Sequence, residues 1–106
     1  MIKARFFHSS GVPSGFHISG HSGYATHGED IVCASVSSAA YMVANTITEI
    51  MGVEADITVD DNGSMTLYVT EKNAHKTKDI LQGLELHLTE LSKQYPKNVT
   101  ITITEV

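Results

Sequence analysis

The sequence contains a single cysteine, Cys33, among its 106 residues. One cysteine cannot close an internal disulfide, so nothing in the chain points to an oxidising compartment. The first residues alternate charged and apolar side chains and lack the apolar centre of a signal peptide. We therefore expect a cytoplasmic protein.

Basic residues are also scarce, since seven lysines and arginines stand against twelve acidic residues, for a net charge of −5. They form no cluster in the sequence, and a surface that binds nucleic acid normally requires one. No stretch approaches the roughly 20 consecutive apolar residues that a membrane-spanning helix needs. The sequence therefore predicts neither direct nucleic-acid binding nor a membrane span.

Repeats, low-complexity segments and interdomain linkers are missing as well. The length suffices for one modest hydrophobic core, and the apolar fraction of 42% is typical of a folded globular protein. We interpret residues 1–106 as a single domain.

Alternation of apolar and polar residues predicts five strands. The pattern recurs around residues 2–7, 16–19, 55–59, 65–69 and 99–104. A turn rich in glycine and serine separates the first two strands, and Asp60-Asp61-Asn62-Gly63 is a strong hairpin signal between the third and fourth.

Apolar residues at spacings of three and four predict two helices, one from about Asp30 to Met51 and one from roughly Asn73 to Gln94. The element order is then ββαββα followed by a final β. The simplest packing is an α+β fold with two helices on one face of a largely antiparallel five-stranded sheet. Because the early turns of the first helix are apolar nearly all round, we also expect a homodimer.

A glycine-containing connector joins the second strand to the first helix and is predicted to form a flexible loop. Its glycines are Gly20, Gly23 and Gly28. Cys33 follows at the predicted helix start, where free amide groups and the helix dipole favour a thiolate. A histidine beside such a thiol makes a pair of nucleophile and base. The connector carries His21 and His27, and composition and spacing do not decide between them.

Each of these residues also has a plainer interpretation. A lone cysteine on an apolar helix is usually a packing residue, and a histidine in a loop is usually a surface residue. Asp30 is either the cap of the helix or the group that orients the histidine. Ser37 lies one turn after Cys33 on the same face, where its hydroxyl can serve the site or bond its own backbone.

Four potential zinc ligands occur in this part of the chain: His17, His21, His27 and Cys33. On an extended chain His17 and His21 would be roughly 13 Å apart, and no paired-cysteine spacing exists. We therefore predict no metal site and no cofactor.

Two stretches together resemble a known family. Gly20-His21-Ser22-Gly23-Tyr24-Ala25, followed by Gly28-Glu29-Asp30-Ile31-Val32-Cys33-Ala34 and Val36-Ser37, is similar to the motifs of the bacterial ribosomal-processing cysteine protease Prp family. The likeness runs the length of the chain. Ser22 stands where the family commonly has alanine, which exchanges one small residue for another.

The resemblance implies a cytoplasmic, dimeric cysteine endopeptidase. Its substrate would be the short N-terminal extension of large-subunit ribosomal protein twenty-seven, cut after an aromatic pair. By the same resemblance Cys33 is the nucleophile and His21 the general base, while Asp30 and Ser37 occupy motif positions that are candidates for an assisting role.

Two other classes of function stay open beside the protease. In a non-enzymatic binding module associated with the ribosome, Cys33 would serve only for packing. In a thiol redox sensor, the one cysteine would need glutathione or a second copy of the chain to complete its chemistry.

Overall fold

The computed structural model describes residues 1–20 and 27–106, and for residues 27–30 it describes the backbone alone. The described elements follow the predicted order. They are β1 (Ile2–Ser9), β2 (Val12–Ser19), α1 (His27–Asn45), a π-helical segment (Thr46–Ile50), β3 (Asp56–Val59), β4 (Met65–Tyr68), α2 (Glu71–Gln94) and β5 (Val99–Glu105).

The five strands form a mixed sheet in the order β3-β4-β2-β1-β5. β1 with β2, β2 with β4, and β3 with β4 are antiparallel, whereas β5 runs parallel to β1. The prediction of an α+β fold with a largely antiparallel sheet is confirmed, and the parallel pair is its exception. Because α2 carries the chain back to the end of the sheet at which β1 starts, β5 must run in the direction of β1.

The hydrophobic core lies between one face of the sheet and both helices. The buried strand residues on this inner face include Ile2, Ala4, Phe6, Phe16, Ile18, Met65, Leu67 and Val99. They pack against Val32, Val36, Ala40, Val43 and Ile47 of α1 and its π-helical end, and against Ala74, Leu81, Leu84 and Leu88 of α2. The opposite, open face carries polar residues such as Lys3, Arg5 and His17.

The helix ends depend on local signals. α2 begins two residues before the predicted start, because the Thr70 hydroxyl accepts a hydrogen bond from the Asn73 backbone N–H at 3.3 Å and caps the helix. The first helical stretch ends before Gly52, whose φ of 67° lies in the left-handed region.

The segment Ile31–Ile50 has the length and the mean hydropathy, 1.4, of a helix that could cross a membrane. The sequence-based statement that no such run exists was therefore wrong. The same segment supplies Val32, Val36, Val43 and Ile47 to the core, and the core helix of a globular protein meets these criteria equally well. Length and composition alone are thus weak evidence that this segment crosses a membrane.

Gly15 lies in the middle of the open face, where two strands approach closely. It pairs with Phe7 on β1 and with Tyr68 on β4, and these two rings stack across it with centroids 4.9 Å apart. A Cβ atom at Gly15 would lie 2.2 Å from the backbone oxygen of Leu67. The pairing of β2 with β4 therefore requires a residue without a side chain at this position.

We predict that Gly15→Ala lowers the free energy of unfolding by about 2 kcal/mol, because one of the two strands must shift to admit the methyl group. Urea denaturation followed by circular dichroism measures this change. Gly83→Ala is the matched control, since nothing lies within 4 Å of a Cβ atom at this helical position. The control should gain about 0.5–1 kcal/mol. Unchanged stability of Gly15→Ala would contradict the close pairing.

Candidate active site

Cys33 lies on α1, and its side chain is partly buried against the core. Because α1 begins at His27, Asp30 is the fourth helical residue and Cys33 the seventh. Of the two interpretations left open for Asp30, the helix cap is therefore wrong, and so is the prediction that Cys33 lies in the first turn. Glu29 and Asp30 are acidic residue types, which the helix dipole favours in a first turn, and this explains the earlier start.

The position of Cys33 changes the chemistry that α1 can supply. The free amide groups of a helix belong to its first four residues, and a seventh residue donates its own N–H within the helix. Cys33 lies about 9 Å along the axis from His27, and the influence of the dipole falls off within the first turn. The end of the helix is therefore too far from Cys33 to act strongly on its thiol.

Cys33 and Ser37 share one flank of α1. Residues four, eleven and fifteen positions apart recur on the same side of a helix, so Ala44 and Thr48 continue this flank. The opposite flank, at Ala39, faces α2 across a cavity of about 340 Å³. The thiol therefore lies on the side of α1 that is turned away from α2.

The sheet beneath this flank is covered unevenly. α2 packs on β2, β1 and β5. Met65 and Leu67, on the inner face of β4, are only 4% and 0% exposed. Their cross-strand partners on β3, Val59 and Ile57, are 49% and 39% exposed. Because α2 lies on the other side of α1 from the Cys33 flank, we infer that α1 lies over β4 and that this flank is on the side of the uncovered β3.

His21 and Gly23 lie outside the described residues, and so do the other residues from 22 to 26. The structure does describe the two ends of the segment that contains them. Gly20 has a φ of 93°, and a Cβ atom there would lie 2.0 Å from the backbone oxygen of Met1, so the chain can turn here only at a glycine. Gly28 is the second residue of α1, so the connector is shorter than predicted.

Two other histidines form side-chain hydrogen bonds elsewhere in the fold. His8 Nε2 lies 2.9 Å from Glu85 Oε1 and links β1 to α2, and His17 Nδ1 lies 2.7 Å from Thr66 Oγ1 on the open face of the sheet. Within the part of the chain that the structure describes, no three His, Cys, Asp or Glu residues are grouped closely enough to hold a metal ion. Of the four candidate ligands, His21 lies outside the described residues, and for His27 only the backbone is described.

Known proteins resemble this chain over almost its whole length. The family model described as cysteine protease Prp matches residues 1–100. The ribosomal processing cysteine protease Prp of Bacillus subtilis (strain 168) is 26% identical over 109 residues, in an alignment that covers 96% of each chain.

Solved structures show the same fold. A Streptococcus mutans protein, SMU.848, superposes with a TM-score of 0.89 at 28% identity, covering 100% of this chain and 96% of that one. The ribosomal processing protease Prp from S. aureus, in complex with a covalently linked product peptide, has a TM-score of 0.85 at 25% identity, covering 98% and 100%. Its complex with a substrate peptide has a TM-score of 0.88 at 24% identity and shows the fold.

We predict that the Cys33 thiol reacts with iodoacetamide in the folded protein no more than about tenfold slower than in the urea-unfolded chain. A thiol sealed in the core reacts only after unfolding, which would slow it by about a thousandfold or more. Mass spectrometry of timed samples measures both rates.

A substitution on the neighbouring strand tests the placement of the thiol. Val59→Trp should slow the alkylation of Cys33 severalfold, because the indole would occupy the space beside the flank of α1. Ile103→Trp, on the other edge of the sheet, is the matched control and should leave the rate unchanged. Equal rates in both variants would mean that the thiol does not face β3.

Proposed function

Since the chain belongs to the Prp family of cysteine proteases, we propose that it removes the short N-terminal extension of large-subunit ribosomal protein twenty-seven, cutting after an aromatic pair. The full-length likeness to a ribosomal processing protease supports this substrate. The observation that carries the proposal is the place of the only thiol in the chain, partly buried on a flank of α1 that is turned away from α2. We place this activity in the cytoplasm, in keeping with the single cysteine.

The proposed mechanism uses Cys33 and His21 as nucleophile and general base. His21 takes the thiol proton, and the thiolate attacks the carbonyl carbon of the scissile bond. The tetrahedral intermediate collapses as His21 protonates the leaving amine, which leaves a thioester on Cys33. Water, deprotonated by His21, then attacks the thioester and releases the acid product.

The choice of His21 over His27 rests on the family resemblance, and the geometry of α1 supports it. His27 is the first residue of α1 and lies six positions before Cys33. Positions six apart on a helix lie on different faces, whereas positions three or four apart share one. His21 precedes the helix, so helical geometry places no such restriction on it.

We predict that Cys33→Ala abolishes cleavage of a peptide containing Phe-Phe, and that His21→Ala lowers kcat/KM by about 10²–10⁴, the usual contribution of a general base. His27→Ala is the matched control and should stay within about threefold of wild type. Mass spectrometry of the products gives both the cleavage site and the rate. Loss of activity in His27→Ala alone would assign the base to His27 instead.

The same assay tests whether Ser37 assists the reaction and whether the protein is a binding module instead of a protease. Ser37→Ala should lower kcat/KM by about tenfold, the worth of one hydrogen bond, while Ser38→Ala, one position along on the exposed side, should not. Tight binding of the peptide without cleavage by wild type would favour the binding module. Cleavage that does not depend on Cys33 would exclude it as the nucleophile.

We also propose that the protein is a homodimer joined through the outward face of α1. Ile31, Tyr41 and Met42 are exposed on this face, and only 33% of the apolar segment Ile31–Ile50 is buried within the chain. Apolar surface of this kind gains free energy when a second copy covers it.

We predict a dimer in sedimentation velocity at micromolar concentration, converted to monomer by Tyr41→Lys because the ammonium group cannot be buried unpaired. Leu86→Lys, an exposed apolar position on α2, is the matched control and should leave the dimer intact. A wild-type monomer at this concentration would contradict the proposal. Loss of the dimer in both variants would point to α2 as part of the interface.

A further inference from the structure

A pocket of about 260 Å³ lies on the open face of the sheet, opposite the two helices. The neighbouring strands β2, β1 and β5 form its floor. It is lined by two rows of paired residues, which are Ser19, Lys3 and Thr100 in one row and His17, Arg5 and Thr102 in the next. Cys33 packs against the core on the inner face of the sheet, so this open-face pocket is separate from the proposed protease site.

Every side chain that lines the open-face pocket can donate a hydrogen bond. An ammonium and a guanidinium group only donate, and the hydroxyl groups of serine and threonine rotate to donate or to accept. No carboxylate of the described chain lines the pocket, although acidic residues outnumber basic ones by twelve to seven in the sequence. This lining favours a negatively charged ligand with several acceptor oxygens.

Two cations stand side by side in this pocket. Arg5 is the only arginine in the chain, and both it and Lys3 are exposed on the interior strand β1. Neither forms an ion pair with a residue that the structure describes. Residues two apart on a strand point to the same face and lie about 6.6 Å apart. Like charges at this distance repel each other, and an anion between them offsets the repulsion.

A histidine adds a donor that does not need to be charged. His17 Nδ1 lies 2.7 Å from Thr66 Oγ1, on the neighbouring strand β4. When the threonine hydroxyl donates to Nδ1, the neutral ring carries its proton on Nε2 and can donate it to a ligand. An anion in the pocket favours this tautomer, so the contact with Thr66 prepares His17 for anion binding.

We propose that the open-face pocket binds the phosphate group of a small molecule. A phosphate monoester carries about −1.5 to −2 charges at pH 7 and three acceptor oxygens, which match the two positive charges of Lys3 and Arg5. The guanidinium fork can bond two of these oxygens at once. A carboxylate carries one charge and about four acceptor positions, fewer than the six lining side chains can serve.

The distribution of charge favours a small molecule over a nucleic acid. Four of the other five basic residues lie on α2, on the far side of the sheet: Lys72, Lys76, Lys78 and Lys93. A nucleic acid is held by a patch or stripe of basic residues that contacts several phosphates. The chain has a net charge of −5, and no such stripe on the open face continues from the pocket among the described residues. The volume and the two charges therefore fit one compact ligand.

The single arginine permits a direct test. Its Nε–H group gives the one arginine side-chain signal in the ¹H–¹⁵N spectrum of the full chain. Titration with inorganic phosphate or glycerol 3-phosphate, at ionic strength held constant with NaCl, should shift this signal along a saturating curve with a Kd of about 1 mM or lower. Acetate should bind about tenfold more weakly or less. A shift that does not saturate, or equal affinity for acetate, overturns the phosphate site.

Substitutions test which charge matters, with binding of glycerol 3-phosphate measured by isothermal titration calorimetry. Arg5→Met should raise Kd about tenfold or more, because its charge-assisted hydrogen bonds are lost. Arg5→Lys keeps the charge but loses the fork and should raise Kd about threefold. Lys76→Met removes the same charge from α2 and is the matched control, expected within about twofold of wild type. Equal weakening by Arg5→Met and Lys76→Met overturns the pocket, and circular dichroism checks that the variants are folded.

Two further measurements separate this site from other functions. A ten-nucleotide oligouridylate should bind no more tightly than inorganic phosphate. Tight binding that falls steeply with salt and is lost in Arg5→Met would assign the pocket to nucleic acid and overturn the proposal. Cleavage of the Phe-Phe peptide by Arg5→Met should match wild type, because the pocket lies on the other face of the sheet from Cys33. Loss of cleavage in folded Arg5→Met would overturn a separate site.

Discussion

The architecture depends on a mismatch between the width of the sheet and the width of the two helices that pack on it. Five strands make a sheet about 24 Å wide, whereas two packed helices cover about 20 Å. α2 packs on β2, β1 and β5, and α1 is inferred to lie over β4, so the deficit of about one strand falls on β3. The exposure of Ile57 and Val59, next to fully or nearly buried partners on β4, follows directly from this arithmetic.

The same constraint decides how a thiol can be both packed and accessible. α1 must bury one side against the sheet, and Val32, Val36 and Ile47 do so. Cys33 lies beside that buried stripe, partly buried itself, on the flank that is turned away from α2. Because it is in the second turn of the helix, it gains little from the helix dipole, contrary to the expectation from the sequence.

The sequence predicted the parts of the fold that local patterns encode. Alternation of apolar and polar residues predicted the strands, apolar residues three and four apart predicted the helices, and Gly20 marked a turn that a side chain would block.

The parallel direction of β5 could not be predicted, because alternation such as Val99, Ile101 and Ile103 carries no information on direction. The exposure of Ile57 was equally hidden, since the pattern of β3 is the same as that of a covered strand. The start of α1 was misplaced because the glycine in its first turn was interpreted as part of the connector. The role proposed for His21 came from family resemblance, since position alone did not separate it from His27.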